Sequence, residues 1–250
     1  GYVRKENSRL RKDASNISAV LDYMYSEFQM VERRINRENK ITEDKKTTVD
    51  DFAKEKRVLL KRQSQLSKKW ADLLEIIKVL PEYNLEDIEI LVTPAPLRDV
   101  IFTCLEKIDG KNIKIPANLL SDGTLRVIGI ATALITYPEN SVLIIDEFDS
   151  GIHHSKAFYF LEKINKIAKD RNITLIITTH NSALLNSYKG KLLEGVSVVY
   201  RDKEDGNSRI KMFIELYDTE RLLAMGGLGD ASLKDGLEDY LYPRSEKIKL

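Results

Sequence analysis

The sequence has little cysteine, histidine, glycine or proline, and these scarcities exclude several classes of protein. Its 250 residues include one cysteine, three histidines, 12 glycines and six prolines. The single cysteine, Cys104, cannot form an internal disulfide or a cysteine-rich metal site, which fits the reducing cytoplasm in which we expect the protein. We expect Cys104 itself to be a small core residue.

Long apolar runs and an excess of either charge are also absent. No apolar stretch approaches the roughly 18 residues of a membrane span, and the first residues contain no apolar signal region, so we expect no membrane association. The formal net charge is +1, so any surface that attracts nucleic acid must be local. The chain starts at Gly1 without an initiator methionine, and we expect it to be part of a longer product.

The phosphate-binding loop G-x-x-x-x-G-K-[ST] is missing as well. The two Gly-Lys pairs, at residues 110–111 and 190–191, have leucine where the pattern requires its first glycine. Neither lysine is followed by serine or threonine. A nucleotide site in this protein therefore needs a loop that this sequence does not contain.

Apolar spacing predicts two helices before residue 84. The first, capped by Ser15 or Asn16, has one apolar face, made of Val20, Leu21, Met24, Phe28, Val31 and Ile35. The second has a leucine-rich stripe with a seven-residue repeat, made of Phe52, Leu59, Leu66, Leu73 and Leu80. Lys56 and Gln63 weaken its companion seam, which favours a helical hairpin or short coiled coil over a long rod.

Residues 54–69 form a basic segment with seven basic residues, one acid and a local charge of +6. The basic residues are Lys54, Lys56, Arg57, Lys61, Arg62, Lys68 and Lys69. Such a helix can bind the phosphate backbone of DNA. A charge run of this kind is also common on solvated helix faces, and both interpretations remain open.

The rest of the chain, residues 85–250, has the pattern of an α/β domain. Residues 142–145 predict a strand buried on both faces, Ser155 caps a predicted helix, and residues 173–178 predict a second buried strand. This strand-helix-strand order predicts a parallel pair. The other predicted elements are short strands at 88–93, 100–105 and 112–115, a helix from Ser121 to about Thr136, and a hairpin at 196–200 and 209–216.

Two acids follow the first buried strand. Asp146 and Glu147 come directly after residues 142–145, where parallel sheets bind ligands. One carboxylate can hold a magnesium ion, and the next can orient or deprotonate an attacking water. Many parallel strands end in acids, so a structural role is the alternative for this pair.

Two further segments carry candidate phosphate-binding groups. Ser121-Asp122-Gly123-Thr124 begins a helix and forms either an anion site or an ordinary helix cap. His180 follows the second buried strand, and we expect it at the same sheet edge as the two acids, where its imidazole can donate to a phosphate. We expect no metal at His153-His154, because both rings cannot point at one ion from an extended segment.

Taken together, residues 120–126, 142–147 and 148–151 and His180 resemble the signature motif, Walker B motif, D-loop and switch histidine of ABC-class ATPases. That class includes SMC and RecF-like proteins. Asp122 and the stretch 13–21 are similar to AAA-type ATP-binding proteins of the overcoming-lysogeny-defect and Septu-like group. The resemblance implies an α/β fold, the ABC-type lobe of a P-loop NTPase with parallel core strands, and an inserted helical hairpin.

The resemblance also implies a role for each site residue. ATP and Mg²⁺ are the implied cofactors, with Asp146 assisting the metal, Glu147 as the general base and His180 sensing the γ-phosphate. The implied nucleotide-binding residues are Ser121, Asp122, Gly123 and Asp149.

Partners follow from the same resemblance. In the family, the signature of one subunit closes over ATP held by another, which implies a homodimer with composite sites. The implied role is in DNA maintenance or anti-phage defence, beside a separate nuclease or effector, because the roughly 34 residues after Leu216 are too few for a fused nuclease domain. The alternative is an ATP-gated interaction module that recruits a protein effector through the leucine stripe, with little turnover.

Overall fold

The computed structural model describes residues 17–41, 49–78, 85–92, 100–188, 190–233 and 236–242. The chain divides into two compact units. The first comprises Gly1–Ile152 and Tyr159–Ile177, and the second comprises His153–Phe158 and Thr178–Leu250. The predicted division between residues 84 and 85 falls inside the first unit.

Helices α1 (Ile17–Ile41) and α2 (Val49–Ile77) form the predicted hairpin in the first unit. Their apolar faces meet in a cluster of buried residues, namely Val31, Ile35, Leu59 and Leu66, with Phe28 packed against them. Leu73 of the stripe is also buried. The described part of the leucine stripe is therefore interior, and the prediction that it docks a protein effector is wrong for these residues. The predicted caps Ser15 and Asn16, the Phe52 side chain and Leu80 lie outside the described residues.

The basic residues of α2 do not share one environment. Arg62 forms an ion pair with Glu27 of α1. Lys69 is half-buried, and burial, followed by the nearby charge of Arg171, lowers its pKa. Four others are exposed at spacings that place them on one helix face, and we call them the basic stripe: Lys54, Arg57, Lys61 and Lys68.

A three-stranded antiparallel sheet packs against this hairpin. The predicted strands are confirmed as β1 (Leu85–Val92), β2 (Val100–Ile108) and β3 (Lys111–Pro116). Strands β2 and β3 have wider bounds than predicted, and β1 starts three residues earlier, while residue 93 lies outside the described residues. The Nε1 of Trp70 on α2 donates to Oδ1 of Asp87 at 3.2 Å, which joins hairpin and sheet. Cys104 on β2 is buried as expected, and burial raises the pKa of its thiol to about 12.

The predicted strand-helix-strand unit is present. Helix α3 (Asp122–Thr136) follows a short 3-10 turn, and then come β4 (Val142–Ile145), α4 (His154–Asp170) and β5 (Thr174–Ile177). Strands β4 and β5 pair in parallel, with Ile145 opposite Ile177. Helix α4 starts two residues earlier than a cap at Ser155 predicts, because the carbonyl of His153 accepts from the amides of Lys156 and Ala157. Ser155 is therefore inside the helix and is not its cap.

One face of the β4–β5 pair is open, which corrects the prediction of a strand buried on both faces. Leu143 and Ile145 are buried, but Val142 is 53% exposed and Ile144 is 69% exposed. Ile176 on β5 is 50% exposed. Successive strand residues point to opposite faces, so these three residues share the side that no described element covers. We call Val142, Ile144 and Ile176 the open face.

The second unit has its own core and contains the predicted hairpin, but the second strand ends at Met212, because residues 213–215 form a 3-10 helix. Strands β6 (Ser197–Arg201) and β7 (Ser208–Met212) pair in antiparallel fashion, and Gly206 takes a φ of +71° in the turn. The helices are α5 (Ser182–Ser187), α6 (Thr219–Ala224), α7 (Leu228–Leu233) and α8 (Glu238–Leu241). The core consists of Leu193, Val198, Phe213, Leu216, Leu222, Leu228, Tyr240 and Leu241. Across the described ranges, no helix has the length and apolarity to cross a membrane.

Candidate functional site

The start of α3 is a capped helix terminus. Ser121 is the N-cap, and its Oγ accepts a hydrogen bond from the amide of Thr124 at 3.2 Å and lies 3.0 Å from Thr124 Oγ1. Ser121 and Asp122 are exposed, whereas Thr124 is buried. The structure therefore contains the ordinary helix cap, and the exposed first turn leaves anion binding as a prediction.

The two acids lie in a tight turn after β4. Asp146 and Glu147 are both exposed, and Glu147 has a φ of +45°. A left-handed conformation costs a residue other than glycine about 1–2 kcal/mol, so the surrounding contacts must hold it. The amide of Ser150 donates to the Glu147 carbonyl at 2.9 Å, and the amide of Ile152 donates to the Asp149 carbonyl at 3.0 Å. The turn is thus internally hydrogen-bonded.

Phe148 anchors the same turn in the core. Its side chain is fully buried, and its ring stacks on that of Phe160 of α4 with 5.0 Å between ring centroids. Asp149, next in sequence, is half-buried. Burial of an aromatic ring contributes a large apolar area. This anchor fixes the turn while the preceding carboxylates stay at the surface.

The turn and the start of α3 are in direct contact. A Cβ on Gly123 would lie 2.0 Å from the carbonyl oxygen of Gly151, and a Cβ on Gly151 would lie 3.0 Å from the Cα of Gly123. Gly151 also has a φ of +74°, which favours glycine. The structure therefore brings together two segments that the sequence separates by more than 20 residues. Gly123 has a packing role here, and its contact with nucleotide remains a prediction.

Arg126 adds a second link between these segments. Its Nη2 donates to the carbonyl of Glu147 at 2.8 Å and also to the carbonyl of Asp146. The sequence indicated Arg126 only as the end of the motif. A usable signal was present, because Arg126 is the single cation in the mostly apolar helix α3.

His180 belongs to the second unit. It is exposed, and it precedes Asn181, whose side chain accepts from the amide of Leu184 at 3.1 Å and caps α5. Strands β4 and β5 are neighbours, as the prediction for His180 required. Its proximity to Asp146 and Glu147 stays a prediction.

The histidine pair stacks face to face. The His153 and His154 ring centroids are 4.3 Å apart, and the Nδ1 of His153 lies 2.8 Å from the Oγ of Ser155. Among the residues that the structure describes, no group of three or more His, Cys, Asp or Glu side chains could hold a metal ion.

The chemistry of the acids fits one kind of metal site. Mg²⁺ is usually bound by one or two carboxylates together with substrate phosphates, and not by a cage of protein ligands. Asp146 and Glu147 supply exposed carboxylates next to each other at the end of a parallel strand. The described residues therefore fit a magnesium ion that a nucleotide brings with it.

Comparison with protein families identifies the class to which this fold and turn belong. A family model described as "AAA domain, putative AbiEii toxin, Type IV TA system" matches residues 3–186. The chain belongs to this family. The predicted α/β ATPase fold is confirmed at this level, and the overcoming-lysogeny-defect or Septu-like subgroup stays a prediction.

Two curated relatives are ATP-binding or ABC proteins by name. A "Probable metal transport system ATP-binding protein" of Thermotoga maritima is 30% identical over 70 residues, which are 28% of this chain and 28% of that protein. "ABC transporter G family member 5" of Dictyostelium discoideum is 33% identical over 114 residues, covering 45% of this chain and 7% of the relative. The chain therefore spans under a third of the length of either relative.

Solved structures with similar backbones include SMC head domains. An SmcHead bound to the C-winged helix domain of ScpA has a TM-score of 0.42 and 14% identity, covering 64% of this chain and 45% of the other. The Smc head domain with a coiled coil and joint from Pyrococcus yayanosii has a TM-score of 0.43 and 15% identity, covering 91% and 40%.

The contact between Gly123 and Gly151 yields a stability prediction. Gly123→Ala should lower the free energy of unfolding by about 1–3 kcal/mol, because a methyl group must displace the Gly151 backbone. Denaturant unfolding followed by circular dichroism measures this loss. Gly195→Ala is the control, since a Cβ there meets nothing within 4 Å. Equal unfolding midpoints for the two variants would show that the close approach is absent in solution.

Proposed function

We propose that this chain supplies the signature, Walker B, D-loop and switch-histidine elements of an ABC-class ATPase that acts as a dimer in DNA maintenance or anti-phage defence. One observation carries the proposal: the start of α3 touches the turn that carries the paired acids, through Gly123 and Gly151. Family membership supports the ATPase class. The dimer and the biological role rest on the sequence resemblance.

Each site residue has a distinct task in this proposal. Asp146 holds the magnesium ion, which when bound neutralises charge on the nucleotide phosphates. Glu147 orients and deprotonates the attacking water. The first turn of α3, from Ser121 to Gly123, offers amides and a hydroxyl to the γ-phosphate of ATP bound by the other subunit. His180 donates to the same phosphate, and Asp149 contacts the nucleotide site.

The open face supports the need for a further part of the ATPase. Parallel sheets normally have both faces covered, yet Val142, Ile144 and Ile176 are at least half exposed. We propose that the element carrying the phosphate-binding loop packs here, and we call the protein that includes this loop the complete ATPase. The sequence resemblance supports a separate nuclease or effector chain as a further partner.

Hydrolysis provides the first test. In the complete ATPase, Glu147→Gln should retain ATP binding and lower turnover by roughly 10²–10⁴, the range for loss of a general base. Phosphate release and nucleotide-binding titrations measure both properties. Glu162→Gln, at an exposed site on α4, is the matched control. Unchanged turnover in Glu147→Gln would remove this residue from the mechanism.

The present chain alone should show no turnover, because it contains no phosphate-binding loop.

Dimerisation provides the second test. Ser121→Arg should prevent ATP-driven dimerisation, because a bulky cation obstructs the approach of the exposed helix start to the other subunit. Light scattering of the complete ATPase in a Glu147→Gln background reports the dimer. Ser208→Arg places the same side chain at an exposed serine of β7. If Ser121→Arg dimerises as well as this control, the signature assignment is wrong.

DNA binding is proposed for the basic stripe. Lys54, Arg57, Lys61 and Lys68 are exposed on one face of α2, whereas Arg62 is already paired with Glu27. Exposed cations on one face can neutralise successive phosphates and release counterions. The stripe is thus a smaller candidate surface than the seven basic residues of the segment.

Salt titration tests this surface. Replacing the four stripe residues with Gln should flatten the slope of log affinity against log salt by about 0.9 for each phosphate that the variant no longer neutralises. Fluorescence anisotropy with duplex DNA measures the slope. Arg62→Gln removes a cation that pairs within the hairpin, so its slope should stay near that of the unmodified protein. Equal slopes for the stripe variant and the unmodified protein would exclude the stripe as a DNA-binding surface.

A further inference from the structure

Arg126 occupies an unusual position for a cation. Helix α3 buries ten of its 15 residues, and Arg126 is half-buried among them. Its Nη2 reaches two consecutive carbonyls, those of Asp146 and Glu147. Its Nε is buried without a hydrogen-bond partner in the described structure. A buried polar atom left in this state has a cost, so the described contacts that favour this placement are the two bonds from Nη2.

The two carbonyls lie where strand β4 ends and the turn begins. The β4–β5 ladder ends at the Ile145–Ile177 pair, and the left-handed Glu147 follows two residues later. Because peptide groups are planar, holding the carbonyls of Asp146 and Glu147 holds the peptide planes that follow each residue. Those planes set the directions in which the two carboxylate side chains leave the backbone.

We propose that Arg126 is a positioning residue that ties the start of α3 to the turn after β4 and thereby holds the carboxylates of Asp146 and Glu147 in place for hydrolysis. The catalytic part of this inference rests on the proposed function. Arg126 lies five residues after Ser121, near the start of the same helix. A movement of the helix start would therefore move the guanidinium of Arg126 and, through it, the backbone of Asp146 and Glu147. Both bonds come from one terminal nitrogen, Nη2, which can donate through its two hydrogens.

Amide hydrogen exchange of the present chain, without nucleotide, tests the tie. The amides of Ser150 and Ile152 close the turn. Arg126→Gln should speed their exchange about tenfold, the factor expected for loss of one charge-assisted hydrogen bond. Arg171→Gln is the matched control, because Arg171 donates to the carbonyls of Leu134 and Tyr137 at the other end of α3. That variant should leave both exchange rates unchanged apart from any global loss of stability.

Steady-state kinetics of the complete ATPase tests the catalytic use of the tie. Arg126→Gln should lower kcat roughly 10–100-fold, which is the loss expected when a catalytic group is displaced by up to about 1 Å. The KM for ATP should change by less than about threefold. Arg126→Lys should recover part of kcat. Arg171→Gln should keep kcat within about twofold, because it touches neither acid.

The two measurements separate the possible failures. Unchanged exchange at Ser150 and Ile152 in Arg126→Gln overturns the tie, and faster exchange with unchanged kcat overturns its role in positioning. Absence of turnover in the unmodified complete ATPase refutes the proposed function and with it the catalytic part, while exchange still decides the tie. If Arg126→Gln does not fold, Arg126→Lys replaces it, with smaller changes of exchange and kcat expected in the same directions, and unchanged exchange at Ser150 and Ile152 again overturns the tie.

Discussion

The close approach of Gly123 to Gly151 is the constraint on which the candidate site depends. It allows the backbone of a helix start to lie against the backbone of a strand-end turn, with no side chain between them. The stacked Phe148 supports that turn from the core, and Arg126 spans it from the helix. A larger residue at either glycine would push the two segments apart and weaken the bond from Arg126 to the left-handed Glu147.

Local sequence patterns were sufficient to predict the helices and strands, but they were not sufficient to predict the contacts between them. The cap at Ser121, the apolar run of α3 and the four residues of β4 were predictable, because capping and hydrophobic periodicity are properties of neighbouring residues. The left-handed Glu147 and the bridge from Arg126 were not, since both arise from packing between segments about 20 residues apart. The open face was missed for a related reason: a continuous apolar run does not show which partner covers it.

The basic residues of α2 show that tertiary structure decides which cations of a segment form an exposed surface. Seven basic residues in one segment suggested one extended cationic surface. Folding pairs Arg62 with Glu27 across the hairpin, and it places Lys69 where burial and Arg171 disfavour its charged form. Desolvation penalises charge whatever the local sequence. The four residues of the basic stripe remain exposed on one face of α2.

The open face has a consequence for how this region is handled during synthesis. Val142, Ile144 and Ile176 present an apolar surface, and within the described residues β4 and β5 each have one strand neighbour. Unpaired strand edges beside apolar side chains lead to association between chains. A newly synthesised chain with this surface uncovered is therefore prone to associate with other chains until an element covers it.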